Sequence, residues 1–164
     1  MPAVLLAGPP GSGKSTLAQA LAIHFTGHVL NKDTIREAIF GPTQVAYTIE
    51  QDDLVHDFMI VAAQSLWQTN PSLWIFFDGR AYSKAYQRNR VPAHHTILCS
   101  ASDETIRRRL LKSHPAKNRT WALYQIIRDN FDPLVEPHLT INTDQPLSEY
   151  LEQAITYLTA APNT

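Results

Sequence analysis

The stretch Gly8-Pro9-Pro10-Gly11-Ser12-Gly13-Lys14-Ser15-Thr16 constrains this chain more than any other. It satisfies the spacing G-x-x-x-x-G-K-[ST], and its surroundings match its letters. A wholly apolar run, Ala3 to Ala7, leads in, and the four-residue recurrence of Leu17, Leu21 and Phe25 leads out. A buried strand, a tight loop and an amphipathic helix are therefore expected in that order. The chemistry explains each fixed position. Gly8, Gly11 and Gly13 admit backbone conformations and close approaches that a Cβ forbids, so successive N–H groups, with those of Ser12 and Thr16, can face phosphate oxygens. The helix start adds unpaired N–H groups and a positive dipole end. Lys14 reaches the outer phosphates, and the Ser15 hydroxyl can ligate Mg²⁺. A nucleoside triphosphate is the expected ligand.

The rest of the chain extends the same pattern. Val29-Leu30, Leu73 to Phe77, Thr96 to Cys99 and Thr140 to Asn142 read as further strands. Helical patterns cover Asp33 to Phe40, Glu50 to Gln68 (through Leu54, Phe58, Val61 and Ala62), Ser102 to Leu111, Thr120 to Asn130 and Pro146 to Leu158. Alternation of this kind predicts an α/β fold with a parallel sheet. With 164 residues and no linker or repeat, the expectation is one domain spanning 1–164.

Composition excludes several classes. Fourteen Lys and Arg against fifteen Asp and Glu leave a net charge of −1, which argues against coating long nucleic acid or an anionic membrane. The lone Cys99 precludes an internal disulfide or a Cys-rich zinc module, and in an apolar strand it reads as an inert thiol. His94-His95 lack a partner at metal-ligand spacing. No apolar run approaches the roughly 20 residues of a membrane span, and no signal pattern precedes the first glycines, so a cytoplasmic protein is expected.

Other phosphate-loop classes fit poorly. A guanine-reading Asn-Lys-x-Asp would come late in the fold; Asn31-Lys32-Asp33-Thr34 has the wrong spacing and follows only the second strand. Motor and transporter ATPases place a Glu beside the strand-end Asp, whereas Asp78 is followed by Gly79 and Arg80. The catalytic-loop motifs of protein kinases are absent.

The phosphate loop together with Asn31-Lys32-Asp33-Thr34-Ile35-Arg36 resembles the polynucleotide-kinase-like P-loop kinases, a broad group that includes zeta-toxin-like kinases. The resemblance implies a three-layer αβα fold with a five-stranded parallel sheet of the nucleoside-monophosphate-kinase type. It implies ATP and Mg²⁺, with a hydroxyl acceptor that is either a small molecule or a 5′-hydroxyl nucleic-acid end. It makes Asp33 the general base and gives Arg36 the acceptor or its phosphate. It further implies a mobile basic lid at about 112–120, bracketed by Arg109 and Arg119 as clamps on the transferred phosphoryl group.

The residues also carry plainer readings. Asp33 is a favoured helix N-cap, and Arg36 could face solvent or pair with a Glu. Asp78 ends a buried strand, where open α/β sheets bind ligands, so it is a candidate for Mg²⁺ or acceptor binding alongside Arg80; Asp-Gly also commonly caps a turn. Neighbouring arginines in Arg107-Arg108-Arg109 must diverge, so most face water. Trp67, Trp74 and Trp121 read as core, with Trp121 the one candidate for an adenine contact. The rival functional class is an ATP-binding switch or slow ATPase that acts through a protein partner.

Overall fold

The computed structural model describes residues 1–112 and 119–160. Five strands form a single parallel sheet: β1 (Ala3–Ala7), β2 (His28–Asn31), β3 (Ile75–Asp78), β4 (His95–Ser100) and β5 (Leu139–Asn142). Their spatial order is β2-β3-β1-β4-β5. The phosphate-loop strand thus occupies the centre, and the chain reverses direction across the sheet beside it. Such a reversal opens a crevice at the carboxyl edge, where α/β proteins hold ligands.

Helices cover both faces: α1 (Lys14–Phe25), α2 (Lys32–Gln44), α3 (Ile49–Thr69), α4 (Ala85–Asn89), α5 (Asp103–Leu110), α6 (Trp121–Asp129) and α7 (Leu147–Thr159). Strand alternation builds two cores. Val4, Leu6, Phe76, Ile97, Cys99 and Ile141 pack with Leu17 and Leu21 of α1 and with Tyr150, Ala154 and Leu158 of α7. On the opposite face Leu5, Ala7, Ile75 and Phe77 meet Met59, Ala63 and Trp67 of α3. Among the described residues no helix is long and apolar enough to cross a membrane.

Three local features depart from the sequence reading. In α3 the buried stripe is Val55, His56, Met59, Ala63 and Trp67, while Leu54, Phe58 and Val61 stand exposed. Both stripes keep helical spacing and each carries an alanine (Ala63 in one, Ala62 in the other), so contact with the sheet decides between them. In α2 the expected stop at Gly41-Pro42 is a kink: Gly41 has φ 65° and a last turn follows it. Finally, α4 falls in a polar stretch with no apolar period to announce it. Its Arg88 is buried, donating to the carbonyls of Tyr82 and Pro133.

Candidate functional site

The phosphate loop folds around its own lysine. Lys14 Nζ donates to Gly8 O (2.7 Å) and Pro9 O (2.9 Å) and lies 3.5 Å from Ser12 Oγ. Phosphate oxygens would take the place of these three acceptors. Burial pushes the Lys14 pKa down, and the Asp78 carboxylate opposes that push most strongly. At Gly8, φ is 135° and a Cβ would stand 2.3 Å from the Cys99 carbonyl, so no other residue fits. Gly13 caps α1, whose first-turn N–H groups have no intrahelical partner. Ser15 and Thr16 are exposed there.

Two further segments clamp the loop. Gly8 N donates to Ala81 O at 2.9 Å, tying it to the chain after β3. On the other side Thr143, just beyond β5, sets its hydroxyl 3.0 Å from Ser12 O and 3.1 Å from Ser100 O. Arg109 donates to Gly11 O (3.0 Å), Thr143 Oγ1 (2.8 Å) and Thr143 O (2.7 Å). Its guanidinium therefore braces the loop in this structure; to clamp a transferred phosphoryl group it would have to leave these carbonyls. Cys99, behind the loop, is fully buried and its thiol is pushed up to about 12 by burial. It is inert at neutral pH.

The second half of the site lies at the carboxyl ends of β2 and β3. Asn31 is the N-cap of α2, its Oδ1 accepting from the backbone N–H groups of Asp33 and Thr34 at 3.0 Å each. Its Nδ2 donates to Asp78 Oδ2 at 2.6 Å. One side chain thus starts the helix and joins it to β3. The capping role that competes for Asp33 is already filled, and the Asp33 carboxylate instead accepts from Arg36 Nη1 at 3.0 Å. Gly79, at φ 94°, lets the β3 exit pass against the Lys32 backbone, where a Cβ would come within 2.8 Å of Lys32 N.

Arg36 is 1% exposed and is held from both sides, by Asp33 and by Asp52 of α3. Lys32 pairs with the same Asp52 at 3.0 Å, and Arg80 pairs with Asp53 at 2.8 Å. Burial pulls Lys32 down to about 8. Arg119 is coupled electrostatically to Arg109, Asp33 and Lys14, which places it near both halves of the site. Burial, the leading cause, lowers its pKa.

Lys14, Asp33, Arg36, Asp78 and Arg119 are thus gathered in one region, and Arg80, paired with Asp53 of α3, lies close enough to act on Lys32 and Arg36. Arg107 stacks on Trp121 at 3.7 Å and Arg108 is exposed, so the three arginines do diverge. Trp67 lies in the core, and Trp74 stacks on Phe25 at 4.4 Å. Between Lys112 and Arg119 the expected lid lies outside the described residues. Sequence reasoning missed three contributors: Asn31 as a bridge, Asp52 as the second partner of Arg36, and Thr143 as a loop brace. Two of them left a signal: Asn31, a favoured capping residue directly before a helical pattern, and Thr143, a polar residue directly after a strand end.

Asp78 is 1% exposed, and its Oδ1 has no hydrogen-bond partner among the described residues. A buried orphaned carboxylate oxygen calls for a donor. Together with the Ser15 hydroxyl it offers the sparse hard-oxygen set that suits Mg²⁺, which keeps several waters when it binds phosphates. No group of three or more His, Cys, Asp or Glu forms a metal cluster among the described residues.

Strand order, loop and helix placement define a P-loop kinase fold. The chain belongs to the AAA domain family, whose model matches residues 4–125. No curated protein sequence matches it. Among solved structures it is similar to the APS kinase of Mycobacterium tuberculosis, solved in complex with AMPPNP and APS (17% identity, 97% of this chain and 98% of that one, TM-score 0.72). It is similar also to a Janibacter sugar kinase (20%, 99% and 96%, 0.71). A third is shikimate kinase of Acinetobacter baumannii in complex with shikimate (20%, 100% and 96%, 0.66). At these identities the likeness is one of fold.

Proposed function

We propose that this protein is an ATP-dependent kinase of the polynucleotide-kinase-like group that moves the γ-phosphoryl group of Mg·ATP to a hydroxyl. The observation that carries the reading is the division of labour at the start of α2. Asn31 performs the capping, which leaves the Asp33 carboxylate available for chemistry, and Arg36 fixes its rotamer. A carboxylate so placed can take the acceptor proton as the acceptor oxygen bonds to the γ-phosphorus and the bond from phosphorus to the β–γ bridging oxygen breaks, releasing ADP.

The remaining residues act by position and charge. Lys14 exchanges its loop carbonyls for phosphate oxygens, and the Gly11 to Thr16 backbone cradles them. Ser15 and Asp78 would hold Mg²⁺, which neutralises phosphate charge when bound. Arg119 steadies the transferring group, and Arg109 keeps the loop in shape from behind or joins Arg119 when the cleft closes. The acceptor lies between the α2 start, α3 and the β3–α4 segment. The absence of a Glu after Asp78 disfavours rapid water activation. Labelled γ-phosphate offered with a panel of 5′-hydroxyl oligonucleotides, nucleosides, sugars and aminoglycosides tests the reading. Label on one acceptor, lost in Lys14→Ala and Asp33→Asn, is the expected result. Label found only as free phosphate, indifferent to Asp33→Asn, would point to the switch or slow ATPase.

A further inference from the structure

An anionic acceptor, whether a carboxylate, a phosphomonoester or a nucleic-acid end, is ordinarily gripped by a guanidinium fork or a free ammonium. At the carboxyl ends of β2 and β3 the described cations that could serve are Lys32, Arg36 and Arg80. Each is already taken. Lys32 Nζ is 3.0 Å from Asp52 Oδ2, and Arg80 Nη1 is 2.8 Å from Asp53 Oδ1. Arg36 spends both terminal nitrogens, Nη1 on Asp33 and Nη2 on Asp52, and lies over the Tyr47 ring, 5.2 Å from its centroid. Its Nε–H is sealed from solvent and without a partner in the described residues, and the second hydrogen on each Nη belongs to a guanidinium already held between two carboxylates. What remains can serve a neutral oxygen, but the charge of this guanidinium is already matched by Asp33 and Asp52.

The charge count agrees. Four cations, Lys32, Arg36, Arg80 and Arg90, pair with four carboxylates, Asp33, Asp52, Asp53 and Asp57, and the buried Asp78 adds a further negative charge. The depressed Lys32 weakens the positive side further as pH rises toward 8. Arg119 is felt by Lys14 and by Asp33 alike, and the kinase reading gives it the transferring phosphoryl group between them. An anion arriving at Arg36 would meet Asp33 and Asp52 on the same guanidinium and set a third negative charge beside them. A neutral polyol, or one bearing an amine, meets no such obstacle and finds carboxylate acceptors for its hydroxyl protons.

We infer that the phosphoryl acceptor is a hydroxylated small molecule without an anionic group, a sugar, polyol or amino sugar, selected by the carboxylate-saturated cluster around Arg36. The inference rests on the kinase reading and adds the substrate class to it. Its test uses matched acceptors on one carbon skeleton: a hexose, its 2-amino derivative, its aldonate and its 6-phosphate, each with Mg·[γ-³²P]ATP. The neutral and amino members are expected to exceed the anionic pair at least tenfold in kcat/KM. Asp52→Asn, which removes one of the two negative charges on Arg36, is expected to narrow that gap.

Preference for the aldonate or the phosphate in the unaltered protein would overturn the inference and leave the kinase reading standing. Free phosphate alone, with every acceptor unlabelled, would count against the kinase reading. In that event the cluster is still probed directly by titrating inorganic sulfate into protein saturated with ADP and Mg²⁺, following the Arg36 Nε–Hε resonance. No saturation of that resonance by sulfate is expected in the unaltered protein, and at least tenfold tighter sulfate binding in Asp52→Asn. Saturable sulfate binding at Arg36 in the unaltered protein would refute the inference whatever the acceptor.

Discussion

Asn31 joins the two halves of the acceptor side, so its removal has two separable costs. Asn31→Ala deletes the cap of α2, which costs about 1 kcal/mol in comparable helices. It also removes the 2.6 Å bond to Asp78, a charge-assisted contact to a buried carboxylate worth about 1.5–3 kcal/mol. The sum is about 2.5–4 kcal/mol, and at about 2–4 °C per kcal/mol for a chain of this size the melting temperature should fall roughly 5–16 °C. Asn31→Ser retains the cap and gives up the long donor, so it should lose less than the alanine variant. Asn31→Asp retains the cap but sets a second carboxylate against Asp78, so it should be worse than serine at neutral pH and recover on acidification. Thermal and urea unfolding by circular dichroism measure all three, and an Asn31/Asp78 double-mutant cycle should return a coupling of about 1 kcal/mol or more. An Asn31→Ala protein within about 0.5 kcal/mol of the original, or additive Asn31 and Asp78 variants, would refute the bridge.

Three further outcomes follow from other parts of the molecule. His56 is fully buried, neither ring nitrogen has a partner among the described residues, and burial, helped by Arg80 and Arg90, lowers its pKa from 6.5 to about 4. Between those values the unfolded chain takes up a proton that the folded chain refuses, so stability drops as pH falls from 6.5 to 4, by about 3 kcal/mol from this group; His56→Leu should flatten that part of the urea-midpoint profile, and an unchanged profile would contradict it. Gly8→Ala puts a Cβ 2.3 Å from the Cys99 carbonyl at a φ of 135° and should cost roughly 2–6 kcal/mol, with loss of nucleotide affinity seen by calorimetry. Thr143→Val keeps the shape but strips the hydroxyl that Arg109, Ser12 and Ser100 share, for a loss of about 1–3 kcal/mol in unfolding and weaker Mg·ATP binding.

Much of this architecture is legible in the sequence because the signals are local. An apolar run stopped by Gly8, a glycine-spaced loop and a four-residue recurrence specify β1, the loop and α1 without reference to anything distant. β3 and β4 likewise declare themselves as short apolar stretches, while β2, with two apolar residues, and β5, with alternating polar ones, are fainter. What could not be read depends on partners far along the chain. In α3 two stripes have equal claim on the core, and only the sheet beneath decides for Val55, Met59 and Ala63 over Leu54, Phe58 and Val61. The Asp33 carboxylate is freed from capping by a side chain two residues earlier, a matter of backbone geometry rather than residue type. The partners of Arg36 and Arg109 are separated from them by 16 and 34 positions, and no periodicity links such distances. The strand order, too, follows from tertiary packing rather than from any single segment.

The central claim is that Asp33 is the base for transfer from Mg·ATP to a hydroxyl, and it is met most directly by a partition ratio. With Mg·ATP and acceptor saturating, phosphorylated acceptor and free phosphate are counted in the same reaction for the unaltered protein and for Asp33→Asn. The account predicts that the acceptor takes most of the label in the former. In the latter, transfer should fall by about 10²-fold or more, the usual worth of a positioned general base, while Mg·ATP affinity stays within a few fold. Equal transfer in both proteins, or a ratio dominated by free phosphate and unmoved by the substitution, would contradict it.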